Sequence, residues 1–234
     1  MTANKVAIVT AAGKGIGAAI AKELSNSGYQ LSLMSPSGSA EELAKSLGGL
    51  GIKGSVTKVD DLQKLVKMTI DQYGRVDAVV NHTGHPPKGP LLEIPDSDWH
   101  LGLDMLLLNV VRMARLVTPI MIKQGGGVFV NISTAPLFEP EAAFPVSGAI
   151  RASLAGFTKI YSDQYAAQRI RMNNVMPGFI DSLAEVEERK RRIPMGRYGT
   201  VEEIAKTVRF LLSTEAGYIT GQNIRVDGGL TRSV

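Results

Sequence analysis

The segment "KVAIVTAAGKGIG", residues 5–17, constrains the fold more than any other stretch of the chain. Val6 to Thr10 is a short run of apolar and β-branched residues, the pattern of a strand buried on both faces. It leads straight into a turn with glycine at 13, 15 and 17, and then into "GAAIAKELSNSG", an apolar helical period that stops at Gly28. Strand, glycine turn and helix in immediate succession open a βαβ unit. Glycine permits positive φ and close backbone approach to a phosphate, and a helix N-terminus adds unpaired N–H groups and a positive dipole end. Gly13, Gly15 and Gly17 are therefore candidate pyrophosphate contacts, with Lys14 supplying a cation in the same turn.

The alternation continues to the end of the chain. "YQLSLMS", "GIKGSVT", "VDAVVNHTG", "GVFVNIS", "IRMNNVMPG" and "GQNIRVDGG" read as further strands. Between them lie the helical segments "AEELAKSLG", "LQKLVKMTIDQYG", "SGAIRASLAGFTKIYSDQYAAQ" and "TVEEIAKTVRFLLS", and a stretch from Asp96 to Gly126 that forms one long helix or two. Thr200 and Glu203 stand at capping-box spacing. This order predicts an α/β fold, a doubly wound parallel sheet (Rossmann fold), as a single domain over residues 1–234.

Composition narrows the function. Hydrophobic residues make up 44% and charged residues 21%, which reads as a globular chain. The net charge of +4 suits an anionic cofactor or substrate but is too small and dispersed to argue for nucleic acid. The absence of cysteine excludes disulfides, thiolate nucleophiles and Cys-ligated zinc, and no metal site is expected. No uninterrupted apolar run reaches ~18 residues and the N-terminus has no leader-like segment, so the expectation is a cytoplasmic protein without a membrane partner.

An NAD site usually carries a carboxylate ~20 residues beyond the glycine turn, for the ribose 2′-OH. Here that place reads "LMSPSGS", offering Ser35 or Ser37 and no acid. Nothing there repels a 2′-phosphate, although no arginine precedes Arg75. NADP(H) is favoured over NAD(H) on charge alone.

Taken together, these residues resemble the classical short-chain dehydrogenase/reductase family over almost the whole chain. "TAAGKGIG", Thr10 to Gly17, is similar to its Thr-Gly-x-x-x-Gly-x-Gly turn, with Ala11 in place of the first glycine; "NHTG", Asn81 to Gly84, is similar to Asn-Asn-Ala-Gly. Asn109 in "LLLNVV" stands at the helix asparagine of the catalytic tetrad, "NIST" at the strand end that carries the catalytic serine, and "MPGFIDS" at the segment lining the nicotinamide. "IPMGRYGTVEEIA" and "YITGQNIRVDGG" are similar to the family's C-terminal part. The resemblance implies cofactor contacts at Thr10, Ile16, Ser55, Val56, Asn81, Gly84, Pro177, Gly178 and Ile180, and a homotetramer or homodimer.

The departures fall where the chemistry belongs. In the family the serine precedes a tyrosine by thirteen residues and a lysine follows four later; ungapped counting gives Thr134, Ser147 and Arg151. With Asn109 these are the candidate catalytic residues. Serine is a far weaker acid than tyrosine, and arginine keeps its proton at neutral pH. Arg151 can hold a ribose hydroxyl or a carboxylate, and Thr134 can donate one hydrogen bond to a substrate oxygen.

Three readings follow. The substrate arrives protonated, as an iminium does; or another group gives the proton, with His82, His85 and Tyr161 as candidates; or the chain binds a dinucleotide without chemistry, in a regulatory or scaffolding role. The first two describe an NADP(H)-dependent oxidoreductase acting on a small carbonyl or imine. Phe138, Phe144 and Phe179 are expected to line its pocket, and "RKRR", residues 189–192, to be a solvated helix face or a basic rim.

Overall fold

In the computed structural model, which describes residues 5–233, seven parallel strands form one sheet in the order β3-β2-β1-β4-β5-β6-β7. Met1 to Asn4, part of the segment read for a leader, lie outside the described residues. The strands are β1 (Val6–Thr10), β2 (Gln30–Ser35), β3 (Leu50–Lys53), β4 (Ala78–Asn81), β5 (Gly127–Ile132), β6 (Ile170–Pro177) and β7 (Asn223–Val226). The helices are α1 (Gly15–Asn26), α2 (Ser39–Ser46), α3 (Val59–Tyr73), α4 (Asp96–Leu103), α5 (Asn109–Gln124), α6 (Pro145–Tyr165), α7 (Glu187–Lys190) and α8 (Val201–Leu212). This is the expected single-domain, doubly wound Rossmann-like fold. The chain reverses its winding between β1 and β4, the switch point where such sheets bind ligands beyond their strand C-termini.

Every residue of β1 is buried, and successive side chains serve opposite layers. Ala7 and Val9 join Ile20, Leu24 and Val208 beneath α1 and α8, while Ile8 joins Leu62, Met113 and Phe129 beneath α3 and α5. The predicted stops hold: Gly28 and Gly74 take φ of 84° and 72° after α1 and α3. Thr200 and Glu203 close a reciprocal capping box at α8.

The stretch from Asp96 is continuous but not uniform: a π-helical turn, Asp104–Leu108, joins α4 to α5. By length and composition alone Asp96–Gln124 is long and apolar enough to cross a membrane, although Asp104, Arg112 and Arg115 break its apolar runs as the sequence shows. Of its most apolar window 44% is buried, and Val110, Met113, Val117 and Met121 belong to the core.

A small third cluster fixes α6 where the cavity needs it. Val146 and Ile150 pack with Ile94 and Leu106, and a Cβ on Gly102 would come within 2.3 Å of Val146. Helix α6 therefore presses directly on the backbone of α4, with Pro145 pre-set for its first turn.

Candidate active site

A cavity of about 450 Å³ opens beyond the C-terminal ends of β1, β4, β5 and β6. Its lining brings together residues 16, 84, 134, 147, 151, 177 and 178 of the sequence-predicted set, namely Ile16, Gly84, Thr134, Ser147, Arg151, Pro177 and Gly178. Ser147 and Arg151 lie four apart on α6, so both face the cavity, one helical turn from each other.

At the glycine turn the geometry leaves no room for side chains. A Cβ on Gly17 would come within 2.3 Å of the Ala11 carbonyl oxygen, and one on Gly13 within 2.1 Å of Ser39 Oγ. Gly15 takes φ of 53°. Ala11, where the family has glycine, also sits in the left-handed region at φ 48°. Helix α1 has no side-chain cap, and Lys14 is exposed at its N-cap position. Uncapped N–H groups beside a bare backbone fit a pyrophosphate, so the residues present suit a dinucleotide.

Several sequence-predicted contacts are turned inward instead. Ser35 is buried: its hydroxyl donates to the Ser37 carbonyl at 2.6 Å and accepts from Ala40 N–H at 3.1 Å. That leaves the exposed Ser37 and its neighbour Ser39, whose hydroxyls lie 2.7 Å apart, as the open choice at the ribose end. Ser55 bonds Thr57 Oγ1 and, through its N–H, Asp61; Val56 packs into the core. Thr10 Oγ1 donates to the His82 carbonyl and accepts from its N–H, tying the ends of β1 and β4. Ile180 is also core.

Asn81 donates to Asn131 Oδ1 at 2.9 Å, Asn131 to Asn174 at 2.9 Å, and Asn174 to Asn223 at 2.7 Å. This amide ladder crosses four strands in register and leaves Asn81 Oδ1 unpartnered among the described residues. Its members lie ~40–50 residues apart in sequence, so only the strand register reveals it. Asn109 is buried where the π turn meets α5; its amide donates to the Met105 carbonyl, and it does not line the cavity.

The electrostatics are one-sided. Arg151 is 7% exposed, and its Nη1 donates to the Ile132 carbonyl at 2.5 Å. Burial pushes its guanidinium down to about 10, still protonated at neutral pH. His82 is half-buried; burial, then the Arg151 charge, push its imidazole down to about 4, and Nδ1 has no partner. Burial and the Lys88 charge also lower His85. Both histidines are thus neutral near pH 7.

Tyr161 leaves the candidate proton donors altogether. It is buried against Phe129 and bonds Thr118 at 2.6 Å, and burial pushes its phenol up to about 12. Phe144 and Phe179 line the cavity as expected, whereas Phe138 lies outside it, half-exposed beneath Arg225.

Sequence reasoning missed Lys88, Ser133, Leu183 and Leu230 in the lining. Lys88 sits in a Pro-Gly loop, and nothing local marks it as facing a site. "RKRR" divides. Arg189 lines the cavity and lies over the Phe179 ring, while Arg192 pairs with Glu141 at 2.7 Å.

The profile of the family described as "Enoyl-(Acyl carrier protein) reductase" matches residues 10–231. The chain is 33% identical over 240 residues to the 3-oxoacyl-[acyl-carrier-protein] reductase FabG of Thermotoga maritima, covering 97% of this chain and 98% of that protein. It is 34% identical over 244 residues to the FabG of Staphylococcus epidermidis, covering 97% and 99%. To the 3-oxoacyl-[acyl-carrier-protein] reductase of a Synechocystis strain it is 33% identical over 238 residues, covering 97% and 96%. With the glycine turn, the switch-point cavity and these end-to-end matches, the chain belongs to the classical short-chain dehydrogenase/reductase family of NAD(P)-dependent oxidoreductases.

Proposed function

We propose that the protein is an NADPH-dependent reductase of a small carbonyl compound, in which Ser147 and Arg151 occupy the places of the family's tyrosine and lysine. The observation that carries this reading is the cavity itself: Thr134, Ser147 and Arg151 meet Ile16, Pro177 and Gly178 around one space at the sheet's switch point. A protein that only held the adenosine half of a dinucleotide would not need that side of the site. The relatives are named for reducing a 3-oxoacyl group, which favours a carbonyl.

The bound cofactor supplies the hydride. The chain's own residues do the rest. The glycine turn and the N-terminus of α1 would hold the pyrophosphate, and Pro177 and Gly178 would line the nicotinamide side. The Thr134 hydroxyl donates a hydrogen bond to the carbonyl oxygen. The oxygen held by Thr134 would take its proton from water, which leaves as hydroxide.

Ser147, Arg151, His82 and His85 offer no strong general acid at pH 7. Ser147 is too weakly acidic, Arg151 holds its proton, and the two histidines are neutral. The missing acid costs a factor of ~10²–10⁴ in rate without abolishing the reaction. An iminium substrate is disfavoured, because a cation would enter a cavity already bearing Lys88, Arg151 and Arg189.

NADPH is favoured because Ser37 and Ser39 present hydroxyls at the ribose end while Lys14 adds a cation. A dimer or tetramer is the assembly that the family resemblance implies. The deciding experiment follows cofactor absorbance with purified protein, a panel of ketones and cyclic imines, and NADPH and NADH in parallel. NADPH-dependent reduction of ketones is expected. Tight cofactor binding with no turnover of any compound would leave the silent-binder reading instead.

A further inference from the structure

Among the described residues the guanidinium of Arg151 has no counter-ion. It is nine-tenths buried and lines the cavity. Its Nη1 is fixed to the Ile132 carbonyl, while Nε is buried with no partner and Nη2 makes no bond to the described residues. The unbonded pair, Nε–H and an Nη2–H, lie parallel along one edge of the group. That edge is the pair of donors a carboxylate takes once the covered Nε is reached.

Nothing in the cavity neutralises it. Burial is the sole cause of its lowered pKa, with no acid acting on it. The other charges at the cavity wall are Lys88 and Arg189, which have the same sign, and Glu141, which is held by Arg192. His82 and His85 carry no charge near pH 7. Burying a lone ion is strongly penalised, and buried charges are paired as a rule. The counter-ion therefore comes with a ligand. The cofactor's phosphates belong at the glycine turn, and a ribose diol could accept the same two hydrogen bonds but would leave the charge uncompensated.

We propose that Arg151 is the receptor for a carboxylate on the substrate, so that the compound reduced is a small oxo acid. Ser147 and Arg151 are one helical turn apart, roughly 6 Å along and across the helix face. A carboxylate on Arg151 thus leaves a carbonyl a bond or two away beside Thr134 and Ser147. Phe144, Phe179, Leu183 and Leu230 offer apolar walls for the remaining hydrocarbon. This inference rests on the reductase reading and specifies its substrate.

The test compares short 2-oxo and 3-oxo acids with their methyl esters at saturating NADPH, for wild type, Arg151→Gln and Arg151→Lys. NADPH affinity is titrated separately by fluorescence, and oxo-acid binding to the NADPH complex by calorimetry. Wild type is expected to prefer an acid over its ester by a hundredfold or more in kcat/KM. Arg151→Gln should lose the hundredfold preference of acid over ester, and Arg151→Lys should recover part of it.

Equal loss for acid and ester, or a matching loss of NADPH affinity, would overturn the proposal and give Arg151 to the cofactor. A wild type that reduces esters as well as acids would overturn it while leaving the reductase reading intact. Acid binding that depends on Arg151 without any turnover would sustain the receptor and refute the reductase. Failure of every oxo acid both to bind and to turn over would overturn the proposal.

Discussion

At the glycine turn, the limits are set by backbone. A Cβ on Gly17 would meet the Ala11 carbonyl at 2.3 Å, and no side-chain rearrangement relieves that contact. On α6, the character of the site is set by what surrounds a side chain. Arg151 would be an ordinary surface cation elsewhere; here burial and the lack of an acid make it an open anion receptor. At Gly13 and Gly17 the first region has no space for a Cβ. The second can change its chemistry at Ser147 while Val146 and Ile150 keep α6 packed, and Arg151 ties that helix to β5 through the Ile132 carbonyl.

The contrast can be broken most severely at the turn. Gly17→Ala should lower NADPH affinity by a hundredfold or more and cost ~1–3 kcal/mol of stability, since the turn must open to admit the methyl group. Fluorescence titration and thermal unfolding measure both; affinity within threefold of wild type would show that the turn is not the rigid half.

His82 tests the other half through pH. Its unfolded imidazole binds a proton as pH falls through 6.5, whereas the folded one waits until about 4. Between those values the unfolded state holds more protons, so stability falls as the medium is acidified. His82→Asn should remove about 2 kcal/mol of the acid-induced loss between pH 6.5 and 4, and change little at pH 7.5. Parallel denaturant curves for the two proteins across that range would show it, and superimposable pH profiles would contradict it.

Ser37→Asp comes next in size. It should weaken NADPH about tenfold by repulsion of the 2′-phosphate and leave NADH unaffected or improved. Unchanged selectivity would move the ribose contact away from β2.

The smallest effect is expected at Ala11. Relief of its left-handed backbone by Ala11→Gly should stabilise the protein by no more than about 1 kcal/mol, because the unfolded chain gains freedom as well. A lower melting temperature would mean that the methyl group packs usefully.

The same contrast explains how far the sequence could be read. The alternation of strand and helix, the stops at Gly28 and Gly74 and the Thr200 capping box are local patterns, and they survive intact. The placement of Thr134, Ser147 and Arg151 around one cavity was legible because their spacing follows the family's register. Burial and pairing were not. Ser35 and Ser37 look alike in "SPS", yet one hydroxyl is turned inward onto Ala40 N–H and the other is exposed. Nor could spacing show that Tyr161 is closed off by Thr118, or that Lys88 reaches the cavity from a Pro-Gly loop. Each depends on neighbours far along the chain.

The central claim is that this site reduces a carbonyl without a side-chain general acid at the tyrosine's place. Its most direct test is the single-turnover rate of NADPH oxidation with the best ketone substrate, for wild type and Ser147→Ala, from pH 6 to 9. The account predicts that the variant keeps at least a tenth of the wild-type rate and the same pH profile. A hundredfold loss, with a pH dependence that disappears with the hydroxyl, would mean that Ser147 transfers the proton, and would contradict it.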